Sequence, residues 1–248
     1  MKVFKNWNIE HFEKIDSTMD EIKKKKYNAI NNLAIYCDEQ KNGRGRGNNK
    51  WISKKGNLYA SIKIKVNFPK NTFLLPYLIG IVMYDVLQNY ILEKNKIVIK
   101  WPNDILVKKK KIAGSLIEMS TQGKKIQDIV IGIGVNLKSS PYIYDYKTTY
   151  LEKESNIKTN IYKILTETIE CIDSWKKYLN DGDKNIKFII YQWMKRSFVK
   201  GTIIKIKFEN KIYDGLYDGI DIDGSLKLLV KRKVMKFNNV QTIFSECI

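Results

Sequence analysis

Two arginines set between three glycines, Gly43-Arg44-Gly45-Arg46-Gly47, form the most chemically loaded stretch of this 248-residue sequence. A guanidinium is permanently charged and presents a planar fork of donors that matches carboxylate and phosphate oxygens. Glycines on either side let the backbone approach a ligand closely. The loop is suited to gripping an anion or, as a flexible basic loop, to an RG-type contact with nucleic acid; its residues alone leave both open. Its spacing is neither that of a Walker A loop nor that of a dinucleotide-binding fingerprint. Trp51 follows, able to stack on a nucleobase or to fill an ordinary core position. In Lys100-Trp101-Pro102-Asn103-Asp104 a strand is stopped by proline, and Asp104 could hold a magnesium ion that bridges phosphates or belong to a plain turn. Lys111 ends a run of four lysines. Strand alternation separates them, so Lys111 could face inward toward an anion or outward toward water. Asn136, closing Gly-Ile-Gly-Val-Asn, could read an adenine edge, because its amide both donates and accepts, or merely end a strand. Histidine and cysteine chemistry is poorly supplied. The one histidine is His11, and Cys37, Cys171 and Cys247 are odd in number and far apart. That is no disulfide framework, no metal site and no Ser–His or Cys–His mechanism.

The elements that must position these residues follow from patterning. The stretch 14–27 carries a helix-start signal: Thr18 followed by Glu21 fits a capping box, with Ser17 just before it. "NLAIYCDEQ" (32–40) reads as a buried strand that runs into the glycine loop, and "NLYASIKIKV" (57–66) alternates as a half-buried strand. Apolar residues at 75, 78, 82, 86 and 90 place a helix over 71–94 with one face in the core. Residues 96–104 are a strand, 105–120 a hairpin turning around Lys108–Lys110, and 127–137 another strand. Its Gly132 and Gly134 stand where side chains would obstruct something. A helix over 160–182 with an Asn/Gly stop and a short helix over 184–195 follow. From about 197 onward, short strands separated by "EN", "DG" and "RK" turns mark a small all-β module. The division expected is residues 1–196 and 197–248.

Lys and Arg outnumber Asp and Glu by 45 to 26, a formal net charge of +19. Such a balance attracts polyanions or an acidic partner. A solvated lysine surface is the simpler reading, because zinc-finger spacing and long basic stretches interleaved with aromatics are both missing. The longest apolar run, residues 77–87, is short and broken by Asp85, which suits a core helix and not a membrane span. The N-terminus has no signal-peptide core. A cytoplasmic protein is expected.

Order and spacing carry more than any single motif. "DST" before a helix, a glutamine and "GRGRG" after a strand, then a tryptophan, "KWPND", "KIAGSLIE" and "GIGVN" resemble the biotin protein ligases from about residue 13 to the end. The resemblance implies an α/β (α+β) fold. Its mixed β-sheet is flanked by helices, as in the class II aminoacyl-tRNA synthetase-like and biotin–lipoyl ligase folds, and a small Src-homology-3-like β-barrel stands at the C-terminus. It implies ATP-dependent formation of biotinyl-5'-AMP, then transfer of biotin to a lysine of the biotin carboxyl carrier protein of acetyl-CoA carboxylase or a related carboxylase. Carried over, Ser17, Thr18 and Gln40 meet the ureido ring, with Met19 where some relatives have asparagine. Arg44, Gly45 and Arg46 close over the biotin carboxylate and the α-phosphate, and Lys111 bridges both. Gly114 lets the strand lie against biotin, Trp51 stacks on adenine, Asn136 reads it, and Asn103 and Asp104 handle phosphate and Mg²⁺. The glycine loop would be mobile when empty and ordered over ligand. The resemblance covers a form without the N-terminal DNA-binding domain, so no specific DNA partner and no membrane are expected, with a monomer or a ligand-promoted homodimer. The alternatives are a lipoate or octanoate ligase of the same superfamily and a basic nucleic-acid-binding protein.

Overall fold

The computed structural model describes the chain except residues 48, 65–68, 123–124, 180–182, 239, 241 and 246–248; for 69–70, 122, 125, 127, 183 and 242–245 it describes the backbone alone. The chain opens with β1 (Lys2–Phe4) and β2 (Trp7–Ile15), a one-turn helix α1 (Thr18–Glu21), β3 (Leu33–Gln40) and β4 (Leu58–Ile64). The long apolar segment forms α2 (Leu75–Leu87), followed by β5 (Ile97–Lys100), β6 (Asp104–Val107), β7 (Lys110–Gln122) and β8 (Lys125–Val135). Helices α3 (Leu151–Ser155), α4 (Ile161–Trp175) and α5 (Asp183–Met194) complete this part. The eight strands form one mixed sheet in the order β1-β2-β3-β4-β8-β7-β6-β5. Only β2 and β3 run parallel; every other neighbouring pair is antiparallel.

Strand alternation gives this sheet two unequal faces. Ile129, Ile131, Ile133 and Val135 of β8 point into the large core with α2, α4 and α5. Val130 points the other way, into a small cluster with Met19, Ile22, Tyr27, Leu33 and Ile35 under α1. Since α1 is only one turn long, it covers part of its face and leaves the rest of β7 and β8 as a groove.

Four expectations change on contact with the structure. β4 is buried along its whole length, not half-buried. Its polar residues are satisfied inside: Ser61 Oγ donates to Thr18 Oγ1 at 2.9 Å, and Lys63 Nζ to the Tyr27 carbonyl at 2.5 Å. The capping box does not form, for Ser17 stands at the N-cap without a side-chain cap bond. The Thr18 hydroxyl instead donates to Gln40 Oε1 at 3.1 Å, and Glu21 pairs with Lys24 and Lys26. Helix α2 is shorter than 71–94. Pro76 has no N–H to extend the ladder backward, and the Asn89 side chain donates to the Asp85 carbonyl that would continue it forward. Finally, of the three Asp-Gly pairs in the tail only Asp223-Gly224 turns the chain, while Asp214-Gly215 and Asp218-Gly219 lie inside β10.

The sequence was closer elsewhere. The hairpin turns at Lys108 and Lys109, both left-handed. Asn160 caps α4 by accepting from the Lys163 N–H at 3.0 Å. The expected stop at Asn180–Gly182 lies outside the described residues. The tail forms β9 (Ile203–Phe208), β10 (Lys211–Ile220), β11 (Leu226–Val230), β12 (Lys233–Phe237) and β13 (Thr242–Ser245), an antiparallel Src-homology-3-like sheet in the order β12-β11-β10-β9-β13. Its β10–β11 turn is tied to α2 and the β5–β6 turn, where the Gly224 carbonyl accepts from Tyr77 Oη at 2.6 Å and from Trp101 Nε1 at 3.0 Å. Among the described residues no helix is long and apolar enough to cross a membrane.

Candidate active site

The groove left beside α1 collects residues that are far apart in the chain. Its lining includes Thr18, Met19, Gln40, Arg44, Gly45, Arg46, Trp51, Asp104, Lys111 and Gly114, together with Gly132 and Gly134. The two β8 glycines make that convergence possible. A Cβ on Gly134 would sit 2.4 Å from the Trp51 ring, and one on Gly132 would sit 2.6 Å from Met19 Sδ. Ordinary side chains there would expel both residues.

At one end, Gln40 organises a hydrogen-bonded chain. Its Oε1 accepts from the Thr18 backbone N–H at 2.9 Å and from the Thr18 hydroxyl, while its Nε2 donates to Ser53 Oγ at 2.8 Å. Ser53 donates on to the Trp51 carbonyl at 3.1 Å. Ser53 and Ser61 were not singled out from sequence. No motif marks them; only the strand register brings them to Gln40 and Thr18.

At the other end, Lys111 Nζ lies 2.8 Å from Asp104 Oδ1, with the two side chains only 16% and 9% exposed. Lys111 also lies over the Trp51 ring at 5.2 Å and the Tyr146 ring at 5.5 Å. Burial pushes the Asp104 carboxyl upward, but Lys111, Lys100 and Arg46 outweigh it and hold it below the ordinary carboxylate range. Lys100 is shifted down, chiefly by its own burial, with Asp104 opposing. Lys100 is a cation that sequence reasoning passed over, although it opens the "KWPND" motif. Magnesium was the partner expected of Asp104. Its carboxylate is already paired with an amine amid further cations, and the described residues contain no cluster of three or more His, Cys, Asp or Glu side chains able to hold a metal. That donor set does not fit a metal held by the protein.

The glycine loop forms a small hairpin over the groove. Arg44 and Lys50 are bridged, Gly45 N–H donates to the Asn49 carbonyl at 2.8 Å, and Trp51 N–H to the Gly43 carbonyl at 2.9 Å. A Cβ on Gly43 would come within 2.3 Å of the Trp51 carbonyl. The Arg44 guanidinium is engaged by Asp20 at 3.0 Å and Glu118 at 3.1 Å, and Lys23 also pairs with Glu118. Arg46 lines the groove and stands exposed.

Three expected residues do not line this groove. Asn136 borders an adjoining shallow pocket that shares Trp51 and Lys111 with the first. Its Nδ2 donates to the Thr149 carbonyl at 3.0 Å. Asn103 Nδ2 is committed to the Ser115 carbonyl at 3.0 Å and Ser115 Oγ at 2.8 Å, and Ser17 lies beside Thr18. Yet Ser17 Oγ, Asn103 Oδ1 and Trp51 Nε1 are the side-chain polar atoms found buried without a hydrogen-bond partner among the described residues. Unsatisfied buried polar atoms are costly, and all three belong to this neighbourhood.

The sequence model of the biotin/lipoate A/B protein ligase family matches residues 11–136, from β2 to the end of the β7–β8 hairpin. The chain belongs to the biotin/lipoate A/B protein ligase family. This family member is 26% identical over 216 residues to the bifunctional ligase/repressor BirA of Bacillus subtilis, an alignment covering 84% of the chain and 65% of that relative. It is 32% identical over 130 residues to the biotin–[acetyl-CoA-carboxylase] ligase of Paracoccus denitrificans, covering 51% of the chain and 53% of that protein. Among solved structures, the ligase fold seen here resembles the biotin protein ligase from Aquifex aeolicus in complex with biotin and ATP. The TM-score is 0.79 at 23% identity, over 98% of this chain and 100% of that one.

Proposed function

We propose that the chain is a biotin–protein ligase, which activates biotin with ATP to biotinyl-5'-AMP and passes biotin to a lysine of a biotin carboxyl carrier protein. The observation that carries the reading is the groove itself, where a neutral hydrogen-bonding end at Thr18 and Gln40 continues into a cationic end at Lys111 and Arg46. That gradient suits a molecule with a polar, uncharged ring system at one end and a carboxylate at the other. A nucleic-acid-binding protein has no use for such an enclosed gradient, and the named relatives favour biotin over lipoate.

In this reading Ser17, Thr18 and Gln40 hold the ureido group, Met19 and Gly114 shape the ring pocket, and Arg44, Gly45 and Arg46 cover the reacting end. Trp51 stacks on the adenine and Asn136 reads it, Asn103 lies behind the phosphates, and Asp104 orients Lys111. ATP enters with its magnesium as substrate. The carboxylate and the α-phosphate repel each other by ~4 kcal/mol at about 4 Å and an effective dielectric near 20. Lys111 and Arg46 offset that repulsion and stabilise charge developing on the phosphorus oxygens. An amine then attacks the mixed anhydride and releases AMP. No covalent enzyme intermediate is required, so catalysis is positioning and electrostatics. Water must be kept from the adenylate, a task for the 43–51 hairpin.

The division into residues 1–196 and 197–248 belongs to the same reading, with the tail module steadying the site through Gly224. The test is biotin-dependent ATP–pyrophosphate exchange followed by transfer to a carrier domain. Exchange with lipoate or octanoate but not biotin would replace the substrate. Salt-sensitive DNA binding with no exchange would replace the reading.

A further inference from the structure

The site face of β7 and β8 is longer than the groove. Its rungs, from the Lys111 end outward, are Gly114 opposite Gly134, Leu116 opposite Gly132, Glu118 opposite Val130 and Ser120 opposite Asp128. Rungs on one face repeat every ~6.8 Å along a strand. The groove occupies the first two rungs. A second cavity, of about 420 Å³, occupies the last two, walled by Ile22 with Lys63 at its edge. The two share one sheet surface and one covering helix, yet none of their lining residues is common to both.

Met19 lines the groove at the rung next to the second cavity. It is buried on α1, one turn before Ile22, with its thioether laid on the bare backbone of Gly132. Gly132 gives it room, since any side chain there would meet the sulfur. Arg44 crosses the same boundary above it, reaching from the loop to Glu118. A methionine offers no strong donor or acceptor, so its contribution at this position is shape.

We propose that Met19 is a plug that sets the depth of the substrate pocket, and that removing it joins the groove to the second cavity and admits biotin analogues enlarged on the ring system. This rests on the biotin–protein ligase reading, in which the ring end lies at Thr18, Gln40 and Met19 and the carboxylate end at Lys111. The second cavity has apolar walls from Ile22, Met119 and Val130 beside its polar groups, so it can take small substituents of either kind. Ser120 and Asp128 stand on its floor, and the Lys63 amine, which donates to the Tyr27 carbonyl, lies at its edge. The plug thus makes Met19 a specificity-determining residue, with Val130 and Glu118 defining the space it withholds.

The experiment is ATP–pyrophosphate exchange by the intact protein with biotin, biotin sulfone and ureido-N-methyl-biotin. It compares wild type, Met19→Ala, and Met19→Ala combined with Val130→Phe, which refills the second cavity. Wild type should prefer biotin. Met19→Ala should raise kcat/KM for at least one analogue, relative to biotin, by about tenfold or more, the scale on which a methylene-sized fit is discriminated. The added Val130→Phe should reverse that gain. An unchanged analogue-to-biotin ratio in Met19→Ala, or a gain that survives the refill, overturns the plug. Should Met19→Ala fail to fold in a thermal melt, Met19→Val carries the same comparison. Wild type inert toward biotin overturns the ligase reading and the plug with it, whereas wild type active on biotin with an unchanged ratio overturns the plug alone.

Discussion

Floor and lid of this site both combine glycine with a basic side chain, and the two are held differently. In the floor, Lys111 and Asp104 form a nearly dehydrated pair, and Gly132 and Gly134 are bare because Met19 and the Trp51 ring occupy the space of their side chains. In the lid, Arg44 is held by Asp20 and Glu118 in the open, and Arg46 stands exposed. Charges paired out of water resist salt, while exposed pairs are screened and contribute at most about 1 kcal/mol. The floor is fixed by the sheet before anything binds. The lid is kept by contacts weak enough to be exchanged.

Experiments that break this contrast can be ordered by expected effect. The largest belongs to Lys111→Ala. Adenylation should fall by ~10³-fold, the scale of losing one preorganised charged donor. The protein should also lose about 3 kcal/mol of stability, because Asp104 is left buried without its nearest partner. Adding Asp104→Asn should recover stability in a thermal melt without recovering exchange. Full activity in Lys111→Ala would move the floor's charge elsewhere.

Next comes Gly134→Val, which forces the Trp51 ring off the floor at a cost of about 1–3 kcal/mol. Both it and Trp51→Ala should raise the KM for ATP roughly tenfold, with a smaller change for biotin, as loss of a stacked base implies. Equal changes in both constants would remove Trp51 from the nucleotide. Arg46→Gly should let the adenylate escape, seen as faster release of the intermediate and labelling of bystander lysines.

A lid-latch variant, Glu118→Gln, should change the melting temperature little. Adenylate release should rise a few-fold and lose part of its salt dependence, while the exchange rate stays near wild type. A large fall in exchange would mean that the latch is part of the floor.

The smallest effect is in pH. Asp104 is held below the ordinary carboxylate range, so its contribution to stability is present above the unfolded value of about 3.9 and is lost as pH falls through the lower folded value. Melting should therefore show no Asp104-linked change between pH 5 and 8, and Asp104→Asn should have a shallower acid limb below about pH 4. An Asp104-linked step near neutrality would contradict the pairing.

The sequence was most legible where a residue type has one physical use. Glycines at 132 and 134 announced an obstruction, and the structure supplies the obstructing groups. The β-rich tail and the hairpin at Lys108 and Lys109 were likewise readable from local turn chemistry. Where a residue has several uses, sequence reasoning chose the local one. Thr18 and Glu21 looked like a cap because they are spaced like one, but the Thr18 hydroxyl is taken by Gln40, 22 positions later. Ser61 and Lys63 looked solvent-facing because they alternate with apolar residues, but α1 and the segment after it cover that face of β4. Lys111 read as free to face inward or outward, because nothing nearby in the chain shows that it folds back onto Asp104.

By itself, the sequence determined the family through motif order, and the fold class through that resemblance, while periodicity and turn residues, being local, placed most of the elements. Tertiary structure alone decided which charges pair, which cation was overlooked at Lys100, and that one sheet face carries two cavities with Met19 laid on Gly132. Those outcomes depend on strand register between β7 and β8 and on the shortness of α1. Register and coverage are relations between segments far apart in the chain, so the energy that fixes them appears only when the segments meet.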